Sequence, residues 1–321
     1  HSSTSRGLGD VYKRQDKYRL FNIKQLTKGN NMNNLKKVGL TALGTALVAS
    51  SAQAADFSMS ATSQITLAGA DNGNKGNGWS MSDSISFSSS GEMDNGFTIS
   101  TKLELEGSNT AAGTSSIDTR NIVIDTGDMG KLTFVGGSST SVIGAWDDLT
   151  PTANEESWGA GFAGTPDTPA NGSAITHNIF TYDYTIMDGL ALKASYVPSH
   201  TTGAVDGSVD YGVNYTGVEG LSVHLAMGEN NDAANAADVS MMSVKYTSGA
   251  ISVGYQVNET DFGTGTSDED FTAVGVSYAI SDDLSVSVNS STIDYEATSK
   301  DDQEAQAVSF SHTSGLSLIH I

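Results

Sequence analysis

The sequence predicts an all-β fold, a transmembrane up-and-down antiparallel β-barrel, and three observations carry that prediction. A unit of about thirty residues recurs, apolar and polar residues alternate inside it, and short connections alternate with long ones. The recurring unit is plainest in "YTIMDGLALKASY" from Tyr184, "YTGVEGLSVHLAM" from Tyr215, "YTSGAISVGYQV" from Tyr246 and "YAISDDLSVSVNS" from Tyr278. "FSHTSGLSL" from Phe310 begins it again, so the leading aromatics stand 31, 31, 32 and 32 residues apart. Each unit reads as strand, aromatic, tight Gly/Asp turn, strand, and a looser polar loop.

The chain opens with residues 1–31, read as upstream non-native sequence. Met32 then starts a secretory signal peptide, residues 32–54: Lys36-Lys37, the apolar run Val38 to Val48, and Ala52-Gln53-Ala54, with cleavage expected after Ala54. That apolar run is too short for a membrane-spanning helix. The barrel is expected over 55–315, and 316–321 ("LSLIHI") as a non-native tail.

Of the chain's 37 acidic residues only Asp10 and Asp16 precede Ala55, whereas just seven basic residues follow it: Lys75, Lys102, Arg120, Lys131, Lys193, Lys245 and Lys300. So acidic a chain lacks the basic footprint that nucleic acid requires. It is equally unsuited to an anionic lipid surface held by charge. There is no cysteine, so an exported chain of this size must gain its stability without disulfides.

Strands follow from the period-two alternation. Val209, Tyr211, Val213 and Tyr215 share one face; Leu221, Val223, Leu225 and Met227, then Ile251, Val253, Tyr255 and Val257, then Leu284, Val286 and Val288 do the same. The other face reads as small and wet throughout, with no second core. Earlier strands are expected near 56–70, 79–90, 97–106, 117–126, 131–137, 174–185 and 190–197. Tight turns separate some of them at 91–96, 127–130 and 187–189. Long connections fall at 71–78, 107–116, 138–173, 198–207, 229–238, 259–269 and 294–303. Short turns at one end and long loops at the other are the layout of an outer-membrane barrel, periplasmic and extracellular respectively. Tyr184, Tyr215, Tyr246, Tyr278 and Phe310 keep one position before five successive short turns, which predicts an aromatic girdle on the lipid-facing side. Fourteen strands are legible through Phe310 and a fifteenth begins after Gly315. An even number and no open edge lead to an expectation of sixteen, the last one or two truncated.

One stretch breaks the alternation. "AWDDLTPTANEESWGAGFAGTPDTPA", residues 145–170, carries two of three tryptophans and three of four prolines. Its Gly159 to Gly164 fits GxGxxG in form, but no strand leads in and no helix follows, so it is not a dinucleotide loop. Glycine that lets a loop fold tightly is the simpler reading. Asp147-Asp148 and Glu155-Glu156 read as carboxylates of a pore constriction, against the alternatives of an acid/base pair, a metal site or solvated loop charge. Trp146, Trp158 and Phe162 are candidates to anchor the loop to a wall.

With signal peptide, hairpin repeat, girdle and one long third loop, the chain resembles the general diffusion porins of Gram-negative outer membranes. The likeness is most specific in "MSDSISFSSSGEMDNGFTISTKLELE", similar to that family's second and third strands. It continues in "DTRNIVIDTGDMGKLTFVGG", similar to its fourth and fifth strands entering the constriction loop. The resemblance implies a homotrimer of water-filled barrels in the bacterial outer membrane, bathed in its lipid, passing small hydrophilic solutes and ions passively. It implies a third loop (138–173) folded into the lumen, its carboxylates facing a basic cluster on the wall. Lys102, Arg120 and Lys193 are the candidates for that cluster: Lys102 and Lys193 by alternation, Arg120 by height alone, its parity left open. Excess carboxylate predicts cation preference.

No catalytic role is expected. His177, His200, His224 and His312 have no ligand spacing, and no GxSxG setting appears, so neither enzyme, metal nor cofactor is predicted. The rival reading is a secreted β-solenoid adhesin, which repeats one short strand per turn without alternating short and long connections.

Overall fold

The computed structural model describes residues 56–67, 79–107, 115–136, 141–154, 156–158, 178–198, 207–231, 236–263, 268–297, 300–314 and 317–320. The chain divides into two units, 1–54 and 55–321, and every described residue belongs to the second. The signal peptide and its cleavage after Ala54 therefore lie outside the described residues.

Fifteen strands are described. The first seven are β1 (Asp56–Leu67), β2 (Trp79–Glu92), β3 (Thr98–Gly107), β4 (Ser115–Asp125), β5 (Lys131–Val135), β6 (Ile179–Met187) and β7 (Leu190–Val197). The others are β8 (Ser208–Tyr215), β9 (Leu221–Asn230), β10 (Ala237–Ser248), β11 (Ile251–Phe262), β12 (Glu269–Ser281), β13 (Leu284–Tyr295), β14 (Gln303–Ser314) and β15 (Ser317–His320). They form one sheet in strict chain order, every neighbouring pair antiparallel. This is the expected meander, and a solenoid of single strands per turn is ruled out by it. Residues 317–320, expected to be a tail, pair with β14 from Ser314↔Ser317 to Ser311↔His320. No described helix is long and apolar enough to cross a membrane.

Several short turns close on left-handed glycine. Gly189 and Gly220 both sit at φ 75°, where a side chain meets its own backbone, and Gly189 O and Gly220 O accept the N–H groups of Thr216 and Thr247 in the next hairpins. Each turn is thus tied to the one after it.

Residues directly opposite in an antiparallel pair point to the same side, so the register sorts the two faces. The outer face carries Leu225, Met227, Val253, Tyr255, Val274, Val276, Val288 and Val308, each at least 42% exposed. So broad an exposed apolar face is unfavourable in water, and lipid is its proper solvent. Tyr215, Tyr246, Tyr278 and Phe310 share this face near the short turns, Tyr246 opposite Leu221 and Val253, Tyr278 opposite Ile251 and Val286. Tyr184 joins them opposite Leu192, its ring stacked on Tyr182 at 6.3 Å.

The inner face departs from expectation. It is small and polar toward the short turns, but toward the long loops it turns apolar: Ala237, Val239, Met241, Phe271, Ala273, Ile293 and Tyr295 are buried there. On the same stretches the outer face turns acidic, with exposed Glu229, Asp238, Glu259, Asp261, Asp270, Asp294 and Glu304. Several face each other directly, as in Glu229↔Asp238, Asp238↔Asp261, Glu259↔Asp270 and Asp270↔Asp294. The faces exchange character because this end of the wall stands in water outside and is covered by protein inside. That exchange also corrects the strand ends. Acidic positions expected in the loops 229–238, 259–269 and 294–303 belong to β9 through β13, and β6 is described from Ile179, the expected start near 174 lying outside the described residues.

Candidate pore constriction

The inner core is completed by the third loop. Residues 141–158 cross the inner face from β7 to β14, bonding to the wall as they go. Val142 N–H donates to Ser195 Oγ (3.2 Å) on β7, and Ile143 N–H to Asp210 Oδ2 (3.3 Å) on β8. Leu149 N–H donates to Gln256 Oε1 (2.9 Å) on β11, and Gln256 Nε2 donates back to the carbonyls of Asp147 (2.8 Å) and Trp146 (3.2 Å). Ala153 N–H reaches Ser287 Oγ (2.8 Å) on β13, and the Thr152 hydroxyl lies 3.5 Å from that of Ser309 on β14. The chain then doubles back, Ser157 Oγ meeting Ser291 Oγ at 2.8 Å on β13. A buried loop needs a partner for each of its backbone groups, and here the wall's hydroxyls and one amide supply many of them.

Two tryptophans pin the ends of this hook. Trp146 (6% exposed) packs with Val142, Ile143, Ala226, Val239 and Met241 and meets the His224 ring edge-on at 4.8 Å. Trp158 (2% exposed) packs with Phe271, Ala273, Ile293 and Tyr295, 4.8 Å from the Phe271 ring. Phe162, the third candidate anchor, lies outside the described residues. Between the anchors the wall is lowered by glycine. A Cβ on Gly212 would collide with Trp146, one on Gly254 with Pro151, and one on Gly275 would come within 2.7 Å of the Pro151 carbonyl. Gly254 and Gly275 are directly opposite each other, so Pro151 rests in a two-strand notch.

The acidic residues ride on the two arms of the hook. Asp147 and Asp148 precede Pro151, Asp148 exposed and Asp147 partly so, and Glu156 stands partly exposed on the returning arm. Glu155 lies outside the described residues. The hydrogen bonds named above fall on β7 to β14; the remaining wall is the inner face of β1 to β6.

That wall is lined by hydroxyls, not by a cationic cluster. Ser58, Ser60 and Thr62 on β1 stand opposite Ser88, Ser86 and Ser84 on β2, and Thr62 and Ser84 share a 2.9 Å hydrogen bond. Lys102 faces inward opposite Ser88 and Asn121, as expected, but its Nζ is bonded to Glu104 at 2.7 Å. Arg120 does not join it. The register sets Arg120 opposite Leu103, on the outer side with Ile122, and its Nε donates to Gly136 O (2.9 Å). A bulge between Leu103 and Leu105, where β4 spends an extra residue, is the reason alternation around Arg120 could not be read. Lys193 faces inward and is paired with Asp183 at 2.8 Å, in a row that runs Asp125, Lys131, Asp183, Lys193 across β4 to β7.

Sequence reasoning missed Gln256, Ser195, Asp210, Ser287, Ser291 and the glycine notch. The available signal was small and polar inner positions lying beside inner apolar ones, a combination that only a docked segment satisfies.

The chain matches the family model for Gram-negative porins over residues 39–316. No curated protein matches. Among solved structures it is similar to a loop-deletion form of OmpT, an outer membrane protein of Vibrio cholerae, at 18% identity and TM-score 0.58, covering 81% of this chain and 88% of that one. It is similar to an anion-selective porin from Comamonas acidovorans at 14% identity and TM-score 0.58, covering 82% and 85%. OmpF of Salmonella typhi, in complex with daunomycin, is likewise similar at 14% identity and TM-score 0.57, covering 80% and 84%.

Proposed function

Because this chain belongs to the Gram-negative porin family and is a β-barrel of the bacterial outer membrane, we propose that it is a passive diffusion channel narrowed by its third loop. Small hydrophilic solutes and ions are its cargo. The observation that carries this reading is the hook of residues 141–158, bonded strand after strand to the inner wall and presenting Asp147, Asp148 and Glu156 there. A loop fixed this way lies along the wall of β7 to β14 and reduces the bore beside it.

Selection then follows from size and charge. The loop's carboxylates meet a hydroxyl wall whose Lys102 is locally matched by Glu104, so the narrow zone keeps a net negative potential and prefers cations. This differs from an acidic loop set against a basic cluster, because Arg120 stands on the other face. A homotrimer fits the reading, a trimer form of Vibrio cholerae OmpT being among the similar structures.

The test is bilayer conductance of the refolded protein. Stepwise openings in triplets and a reversal potential favouring potassium over chloride are expected. A protein that gives no steps, or a reversal potential favouring chloride, would overturn the channel or its preference respectively.

A further inference from the structure

The lysines of the inner wall are not equivalent. Lys102 is bonded to Glu104 at 2.7 Å, Lys131 to Asp125 at 3.1 Å and Lys193 to Asp183 at 2.8 Å. Lys245 on β10 has no carboxylate within salt-bridge distance and no hydrogen bond among the described residues. Its position is fixed by register: it stands opposite Ser222 on β9 and Gly254 on β11, on the inner face. Gly254 is the glycine on which Pro151 rests. Lys245 therefore borders the loop's notch, on the side of the short turns, three residues before Ser248 ends the strand.

The nearest wall positions carry hydroxyls, with His224 one inner position further along β9, opposite Ser243. Thr247, next along the same face, shares a 2.8 Å hydrogen bond with Ser252, and Ser222 lies directly across from Lys245. An ammonium whose three donors are not spent on a carboxylate, beside hydroxyls that also donate, is a donor set for an anion. Gly254 adds no side chain to crowd it.

Resting on the porin reading above, we propose that Lys245 is a specificity-determining residue that contacts small inorganic anions on the short-turn side of the constriction. Together with Ser222, Thr247 and Ser252 it forms a weak, water-exposed site. The paired lysines do not compete for this role, since their ammonium groups are already engaged. Among the described residues the pore thus carries two unlike stations in series: carboxylates on the loop and an unmatched cation just below it. An anion entering from the periplasmic side meets Lys245 before it meets Asp147 and Asp148.

The experiment uses the full-length refolded pore in a planar bilayer, with inorganic phosphate titrated against a constant potassium chloride background. The wild type is expected to show a saturable, phosphate-dependent change in current, reached at lower concentration when phosphate is added on the short-turn side. Lys245→Gln should weaken the apparent affinity about five-fold, the factor a unit charge at ~4 Å supplies in water, and Lys245→Arg should retain it. Lys131→Gln is the control, because it removes the same formal charge from an ammonium already held by Asp125. Equal weakening in Lys245→Gln and Lys131→Gln would reduce the effect to net charge and overturn the proposal, as would no weakening in either. Heat-modifiable migration of each variant establishes that it is folded. A folded wild type without conductance steps overturns the porin reading as well, whereas a conducting wild type with an unchanged Lys245→Gln overturns this inference alone.

Discussion

Replacing Gln256 by alanine removes the amide that holds the descending arm of the hook. Gln256 is 0% exposed, accepts Leu149 N–H at 2.9 Å and donates to the Asp147 and Trp146 carbonyls at 2.8 and 3.2 Å. Alanine deletes the amide and leaves one N–H and two carbonyls facing a hole. A net hydrogen bond contributes about 0.5–1.5 kcal/mol and an orphaned buried group costs about 1–3 kcal/mol. With the two carbonyls sharing one nitrogen, about 2–4 kcal/mol is lost from loop docking. That shifts the docked-to-released ratio by roughly 30-fold to 1,000-fold at about 1.4 kcal/mol per factor of ten. The strand ladders on both sides of Gln256 are backbone bonds and survive the change. Gln256→Ala should therefore keep heat-modifiable migration, gain protease cleavage within 141–158, and give larger, noisier single-channel steps. A folded variant with wild-type step size and wild-type resistance to cleavage would refute the reasoning that this amide positions the loop.

Trp158→Ala empties the second anchor beside Phe271 and Ile293; at about 3–5 kcal/mol for a buried aromatic the returning arm should detach, read as altered solute exclusion in liposome swelling. Gly254→Val places branched carbons where Pro151 rests and should displace the hook toward the lumen, lowering conductance where Gln256→Ala raises it. Glu104→Gln frees the Lys102 ammonium, so the reversal potential should move toward chloride, and Lys102→Gln should move it the other way. Val276→Arg puts a charge on the outer band, 43% exposed and opposite Val253 and Val288; a cost of up to about 2–4 kcal/mol at mid-membrane should lower the urea midpoint in lipid. Unchanged stability there would contradict the lipid-facing assignment.

What could be read from the sequence was whatever repeats. Tyr215, Tyr246, Tyr278 and Phe310 betrayed face and height together because a strand's period of two leaves no freedom once the turn is fixed. The loop announced itself by composition, and its tryptophans by being out of place. Arg120 could not be assigned, since a bulge two residues away resets parity without a sequence mark. The wall that receives the loop was illegible for a different reason. Ser287, Gln256 and Gly275 look like ordinary water-facing positions, and only the segment packed over them shows that Gln256 and Ser287 are buried. Lys245 carries no mark in the sequence, because spacing reveals which side a residue faces but not which carboxylates its neighbours have already claimed.

The order in which the hook finds its partners sets a timetable for assembly. Reading forward, its bonds join residues 53, 67, 107 and 134 positions apart, and Thr152 reaches across 157 to Ser309. A segment encoded before the sixth strand thus waits for the fourteenth. Contacts this distant in sequence repay their closure entropy late. The docking of the filter therefore cannot be complete before the fourteenth strand has joined the wall that receives it.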